Sequence, residues 1–493
     1  MQAHNKNKHD HHHGASSSLN DKVILAPMVG GSELAFRKLV RNHGVTTACY
    51  TPMLRSQQVV QAFDLWQQQL QQNDNLSWTE NLHEDGVLLL HDIMMDTEPL
   101  VVQICGSSPK VLYQATRALL QLNHHSKKTE NVPNSEQALP CQCKIVGIDL
   151  NLGCPQSTAR NAHFGAFLAE GSPDLALECI AAMRRAIDDE LEYENNGSPP
   201  DSENAPFHSQ QQEEQPKHQM STTTRRPRLS CKIRLRDDLE DTLRFVHNLE
   251  KAGCDVIAVH CRRRDEKHLG LPDYETGAAI VQASNIPIVM NGDGFSKGEI
   301  QSILDVTKAP AVMVGRGFLS NPFLLCPNGG GANDEDDVED KGTATTAATS
   351  RRNPALLAAS YLDFAEQCPP PSPKYIRNHL RWIFRDDIKP DFKNPIEFKT
   401  DWRARLWTFL ARPYLETIHQ FRQVVALFVQ QELKESSKSS GREAYTQHLP
   451  HSITKLSKEV TFHDIRHNKN EIVETVAEED TQDHGGLALG LFG

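Results

Sequence analysis

Eight short apolar runs, each closed by glycine, proline or a polar side chain, recur along residues 22–317. They are "KVILAPM" (22–28), "ACYTPM" (48–53), "LVVQICG" (100–106), "IVGIDLNLG" (145–153), "LSCKIRL" (229–235), "DVIAVHC" (255–261), "IPIVMNGD" (286–293) and "PAVMVGRG" (310–317). Each has strand length, too short for a helix of ordinary size. Between most of them lie stretches of helical period: 32–43, 110–122, 174–188, 240–253 and 298–306. Strands apolar on both faces and alternating with helices require a parallel sheet covered on its faces. Eight such units in about 300 residues fit a TIM (β/α)8 barrel with insertions. A doubly wound open sheet is the structural alternative.

The chain has 493 residues, room for more than one domain, and a net charge of −12. Much of that charge falls in stretches such as "GANDEDDVEDKG" (331–342) and "EIVETVAEEDTQD" (471–483), which lack the apolar content to fold. Global charge therefore does not exclude a nucleic-acid partner. Composition divides the chain into a disordered N-terminus (1–20), a barrel (21–325) with a disordered insert at about 190–227, an acidic Gly-rich linker (326–352), a helical domain (353–435) and a disordered tail (436–493). Shorter Gln-, Asn- or His-rich insertions fall near 66–80 and 123–140. No run approaches the roughly 18 apolar residues of a membrane span, and no signal or transit pattern opens the chain. The expectation is a soluble protein of the cytoplasm or nucleus, with no obligate protein partner indicated. Eleven scattered cysteines suggest reduced thiols rather than a disulfide framework or a zinc site. His11, His12 and His13 are not read as a metal site.

A barrel gathers its chemistry at the C-terminal ends of its strands. Those ends carry Pro27, Met28, Gln103, Asn151, Cys154, Lys232, Arg234, His260, Arg262, Asn291, Asp293, Gly315 and Arg316. Each alone has an ordinary structural explanation, but their recurrence at strand ends does not suit a packing surface. The glycines of "NGDGFSKGE" and "GRGFLSNP" follow the seventh and eighth runs, where barrels build phosphate sites from close backbone approach. A phosphorylated cofactor is implied. Flavin mononucleotide (FMN) suits the inventory better than pyridoxal phosphate. Gln103 can pair with a ring edge, and Lys232 and His260 can stabilise the negative charge of a reduced flavin.

The blocks "LAPMVGGSELAFRKLV", "CYTPML", "PLVVQICG", "IDLNLGCPQSTARNAHFGAFL", "CKIRL", "AGCDVIAVHCR", "IPIVMNGD" and "VMVGRGFLSNP", in this order, resemble the tRNA-dihydrouridine synthases. These are FMN oxidoreductases that reduce uridine in the tRNA D-loop. "NLGCPQ" with "HFGAFL" is most similar to the eukaryotic branch acting at positions 16 and 17, while "LAFRKLV" and "NGD" also resemble the branch acting at 20a and 20b. The resemblance implies that Cys154 protonates uracil C5 after hydride reaches C6, a task suited to a thiol whose ordinary pKa is about 8.5. It implies that Pro27, Met28, Gln103, Lys232, His260, Asn291, Gly292, Asp293, Gly315 and Arg316 hold FMN. Asn151, His163, Arg234 and Arg262 fall where the family contacts substrate or phosphate. NADPH or NADH would be the reductant, bound over the flavin in turn with tRNA because both need the same face; no separate dinucleotide fingerprint is present.

One departure stands out. "HCRRR" (260–264) has Cys261 where the family has glycine and Arg263 where it has threonine, so a side chain is expected to crowd the FMN or phosphate geometry. A base in folded tRNA must be extruded to reach a barrel mouth, which calls for a basic surface. Residues 372–434 supply Lys374, Arg377, Arg381 and Arg385 at near-helical spacing, interleaved with Trp382, Trp402, Trp407 and Phe409. The aromatics are expected to pack within the helices and the cations to face phosphates, as in the family's helical tRNA-binding domain. Two other readings are an FMN barrel acting on a free pyrimidine, which would leave this basic segment unused, and a non-catalytic tRNA-binding protein.

Overall fold

The computed structural model describes residues 18–72, 85–129, 143–196, 226–326, 353–389, 401–411, 415–435, 446 and 448–462. Nine strand segments form one parallel sheet: β1 (Val23–Leu25), β2 (Cys49–Tyr50), β3 (Leu54–Arg55), β4 (Pro99–Cys105), β5 (Lys144–Leu152), β6 (Arg228–Leu235), β7 (Val256–Arg263), β8 (Ile288–Asn291) and β9 (Ala311–Val314). The order is β1-β9-β8-β7-β6-β5-β4-β2, with β3 also against β4. Every apolar run of the sequence supplies one position. The second run is split because Pro52 has no N–H for the ladder. The sheet curls until β1 and β2 touch, and the Thr47 hydroxyl donates to the Val23 carbonyl across that seam. The result is a nearly closed eight-position parallel barrel.

Helices α1 (Leu34–Asn42), α2 (Ser56–Gln72), α3 (Asp85–Met94) and α4 (Pro109–Thr129) follow β1, β3 and β4. Next come α5 (Ser157–Asn161), α6 (Ala166–Gly171) and α7 (Pro173–Asn196) after β5, then α8 (Leu239–Lys251), α9 (Tyr274–Ala283), α10 (Lys297–Thr307) and α11 (Arg316–Ser320). Strand residues such as Ile148, Leu150, Ile233 and Met290 are buried with Phe36, Leu119, Met183 and Phe318 in one core. Local sequence sets the helix starts. The Asp238 side chain accepts from the Asp241 N–H to cap α8, and Ser296 with Glu299 forms a reciprocal capping box on α10.

Beyond the barrel, α12 (Pro354–Gln367), α13 (Pro373–Ile383), α14 (Arg385–Ile388), α15 (Trp402–Ala411), α16 (Ile418–Glu435) and α17 (His451–Glu459) form a helical body. It packs on α1 and α11 through α12 and α13. Trp382 and Trp407 are buried there, as expected of aromatics that pack within the helices.

Several segments are more regular than composition suggested. The Gln-rich stretch continues α2 to Gln72, α4 runs to Thr129 and α7 to Asn196. A helix, α17, occupies part of the expected tail, because Ile453 and Leu456 lie three residues apart on its inner face; Ile453 is buried, and Gln430 Nε2 donates to the Ser457 and Val460 carbonyls. The N-terminal histidines, the middle of the long insert and the acidic linker lie outside the described residues. Among the described residues no helix is long and apolar enough to cross a membrane.

Candidate active site

Strand register brings the polar residues together. Gln103 pairs with Asp149 and Asp149 with Ser230; one layer up, Asn151 pairs with Lys232; above that, Arg234 pairs with His260 and His260 with Asn291. Alternate residues of a strand share a face, so Asp149 and Asn151, Ser230, Lys232 and Arg234, and His260 and Arg262 fall on the barrel's inner side. The Cys154 thiol sits on the turn leaving β5 and is 8% exposed. Asn151 Oδ1 accepts the N–H groups of Gly153 (3.2 Å) and Cys154 (3.0 Å), which shapes that turn.

"HFGAFL" packs against this turn. The Ala166 N–H donates to the Cys154 carbonyl at 3.1 Å, and Gly165 has φ +65°. A Cβ on Gly165 would lie 2.8 Å from that carbonyl oxygen, so only glycine fits. His163, also at positive φ (53°), is exposed on the preceding bend at the rim.

Cations crowd the mouth. Arg262 Nη2 donates to both oxygens of Asp293 at 2.9 Å, and Arg316 Nη2 donates to Asp293 Oδ1 at 2.9 Å. Arg234 Nε donates to the Gly153 carbonyl (2.9 Å) and Nη1 to the Lys267 carbonyl (2.6 Å), and Arg262 Nη2 also reaches the Gly270 carbonyl (2.7 Å). Both arginines therefore also fasten the loop after β7, a role that residue type alone did not reveal. Asn291 Nδ2 donates to the Met313 carbonyl of β9 at 2.8 Å. Asp293 has φ +32° between Gly292 (+144°) and Gly294 (+81°). A Cβ on Gly317 would come within 2.2 Å of the Gly294 carbonyl oxygen, so the two glycine loops interlock by backbone contact. Gly315 sits against Met28, whose Sδ would be 3.2 Å from an added Cβ, and Pro27 is half-buried beside it in the chain.

This concentration of positive charge is only partly compensated, by Asp293 between Arg262 and Arg316 and by Asp149 near Lys232. Burial first, and then repulsion from Arg234, pull Lys232 down to about 7. Burial and the neighbouring Arg262 and Arg316 lower Arg234 to about 10. Burial, Arg234 and Lys232 hold His260 well below its ordinary value, so it is neutral. His260 Nδ1 and Arg234 Nη2 are buried without a hydrogen-bond partner. Orphaned donors among crowded cations are what an anionic, hydrogen-bonding ligand such as FMN would satisfy, and the residues present fit it. Burial pushes the Cys154 thiol up, so it is protonated at neutral pH.

Cys261 does not crowd the mouth as its position suggested. It lies on the outer face of β7, its Sγ 3.5 Å from Met290 Sδ, and Gly277 of α9 leaves the space it fills. A Cβ on Gly277 would be 3.0 Å from the Cys261 sulfur. Arg263, the other departure, is exposed on the rim.

Sequence reading missed Asp149, Ser230 and Thr51. Gln103 Nε2 donates to Asp149 Oδ2 (2.8 Å), Ser230 Oγ to Asp149 Oδ1 (2.7 Å), and the Gln103 N–H to Thr51 Oγ1 (3.1 Å). An aspartate inside the apolar run "IDLNL", two residues before Asn151, was the available signal.

Residues 24–194 and 218–394 match the family described as dihydrouridine synthase (Dus). A mouse protein named tRNA-dihydrouridine(16/17) synthase-like is 30% identical over 361 residues, 72% of this chain and 54% of its own. A yeast tRNA-dihydrouridine(16/17) synthase is 27% identical over 61% of this chain and 53% of its own. A human protein named tRNA-dihydrouridine(20a/20b) synthase-like is 26% identical over 61% of this chain and 70% of its own. The chain thus spans about half the length of the mouse and yeast relatives. With the family match covering most of the barrel and the first helices beyond it, this chain belongs to the dihydrouridine synthase family.

Proposed function

We propose that this protein is an oxidoreductase that reduces the C5=C6 bond of uridine in the tRNA D-loop, at positions 16 and 17 or at 20a and 20b. FMN would be the bound cofactor and NADPH or NADH the reductant. The observation that carries the reading is a buried, protonated thiol, Cys154, on a turn fixed by Asn151 beside a mouth where cations outnumber carboxylates. The names of the relatives point the same way.

Pro27, Met28, Gln103, Lys232, His260, Asn291, Gly292, Asp293, Gly315 and Arg316 would hold FMN, which when bound and reduced supplies hydride to uracil C6. Conjugation of C5=C6 with the C4 carbonyl leaves an enolate whose C5 needs a proton. Cys154 holds that proton at Sγ. The thiolate it leaves is stabilised by the backbone N–H of Gln156 and by Arg234 and Lys232, which oppose the rise caused by burial. Neutral His260 offers a ring N–H without adding charge. Asn151 holds the acid's turn and keeps one N–H for the uracil edge. His163, Arg234 and Arg262 border the substrate side, and Arg234 has an unpaired Nη2 to offer.

For tRNA we propose the helical body, residues 353–435, as the second contact. Arg385 lies close enough to Arg316 to depress it, after burial and Arg262, and Arg385 and Arg381 act likewise on Lys389. A cationic track therefore leaves the mouth along α13 and α14. Such a track suits a phosphate backbone and makes binding weaken with salt. Arg381 and Arg385 also stack on Trp407 (4.6 Å) and Trp382 (5.0 Å), which limits their freedom.

The test is dihydrouridine mapped by position in tRNA that lacks it, after incubation with purified protein, FMN and NADPH. Product at D-loop uridines is expected. No product, despite bound FMN and intact tRNA binding, would overturn the reading.

A further inference from the structure

The amides of Gln103 and Asn151 can each be turned either way, and what they present to the mouth depends on which way they face. Asp149 lies beneath both, fully buried. An ionised carboxylate only accepts hydrogen bonds. Its Oδ2 takes Gln103 Nε2 (2.8 Å) and its Oδ1 takes Ser230 Oγ (2.7 Å), both from residues in its own register layer. With its NH2 turned down, Gln103 presents Oε1 upward, where it accepts Asn151 Nδ2 at 2.9 Å. Asn151 is then left with Oδ1 toward the turn, where it accepts the N–H groups of Gly153 and Cys154.

The sequence of bonds runs one way from Asp149 to the Cys154 backbone. Reversing it would set an amide NH2 against two backbone N–H groups and leave them buried without acceptors, which a buried turn does not tolerate. We infer that Asp149 is a positioning residue whose oxygen facing Gln103 Nε2 sets the direction of this relay and so holds the turn that carries Cys154. The inference rests on the reading of Cys154 as the acid. A competing role for Asp149 is as counter-charge to Lys232, on which it exerts an attractive effect.

Two substitutions separate these roles. Asp149→Asn keeps an oxygen for Gln103 and can donate its amide N–H to Ser230 Oγ, so the relay direction survives while the charge is lost. Asp149→Leu removes the acceptor and frees Gln103 to turn. The readout is the alkylation rate of Cys154 by iodoacetamide, followed by peptide mass mapping, alongside the single-turnover rate with tRNA. Alkylation needs no tRNA reaction, so it reports on the relay even if the synthase reading fails.

The expected result is a Cys154 alkylation rate that rises in Asp149→Leu and stays at the wild-type value in Asp149→Asn. The reduction rate falls in the leucine variant on the order of 10- to 100-fold, the scale of a small misplacement of a reacting group, and is retained in the asparagine variant. Should the leucine variant not fold, Asp149→Asn with Ser230→Ala leaves the new amide without its acceptor. That double variant should behave as expected for leucine, while each single retains wild-type behaviour. An asparagine variant with Cys154 as reactive as in the leucine or double variant, or a leucine variant identical to wild type, would overturn the relay.

Discussion

Two buried polar networks of this protein use the same residue types to opposite ends. At the junction of barrel and helical body, Glu33 accepts Tyr361 OH (2.8 Å) and pairs with His379 Nε2 (3.0 Å), while Arg37 and Arg41 each reach Asp96 at 2.7 Å. Arg37 Nη1 also donates to the Ser32 carbonyl at 2.7 Å, and the Leu34 N–H to Asp92 Oδ2 at 3.2 Å. Burial alone would raise Glu33 and Asp96, yet His379 and Tyr361 hold the first and Arg37 and Arg41 the second below the usual carboxylate value, whereas burial leaves Asp92 raised to about 7. At the mouth, by contrast, Lys232, Arg234, Arg316 and His260 are all pushed down by burial and neighbouring cations, and the carboxylates within reach, Asp149 for Lys232 and Asp293 for Arg316, do not reverse the shift. A buried network in which each carboxylate meets its partners holds the fold together, whereas one in which cations outnumber carboxylates leaves charge for an anion to balance.

The comparison breaks most visibly in stability. Arg37→Ala leaves Asp96 and the Ser32 carbonyl short of a buried partner and should cost about 3–5 kcal/mol in urea unfolding. Lys232→Met at the mouth should leave the ligand-free protein at least as stable, because it removes repulsion, while weakening FMN binding. A large loss of stability in Lys232→Met would erase the distinction. Next in size is Gly165→Ala, which forces a side chain at φ +65° into the Cys154 carbonyl. It should cost about 1–3 kcal/mol and lower the reduction rate together with stability.

A finer test uses pH. Lys232 has its folded value near 7, below its ordinary 10.5, so between those limits the unfolded chain binds more protons. The ligand-free protein should therefore gain stability from this group as pH rises from about 7 to 10.5. An anion at the mouth reverses the shift, so FMN binding at pH 8 should take up protons. Titration calorimetry in buffers of different ionisation heat reads that uptake, and Lys232→Met should reduce it. The smallest effect is expected at exposed Lys374, where Ala should change stability within about 0.5 kcal/mol and flatten the salt dependence of tRNA binding slightly.

The barrel was legible because eight short, largely apolar runs alternate with helical stretches, a pattern that buries each strand between helices. Helix α9 was not, since "YETGAAIVQA" buries only Gly277 and Ile280 and shows no strong stripe. The tail helix was hidden by its polar surroundings, and the glutamines of α2 by their low complexity. Among site residues, Cys154, Lys232 and His260 announced themselves by type at strand ends. Asp149 did not, because its role depends on register with Gln103 and Ser230, which lie 46 and 81 residues away. The outward placement of Cys261 was equally out of reach without knowing that Gly277 faces it.

The central claim is that Cys154 gives its proton to the reduced base. Its most direct test is single-turnover oxidation of the reduced flavoprotein by tRNA lacking dihydrouridine, for wild type beside Cys154→Ala. Wild type should be reoxidised with dihydrouridine formed, and the variant should bind FMN and tRNA normally yet react about 10²–10⁴ times more slowly. A variant that reacts at the wild-type rate would contradict the account.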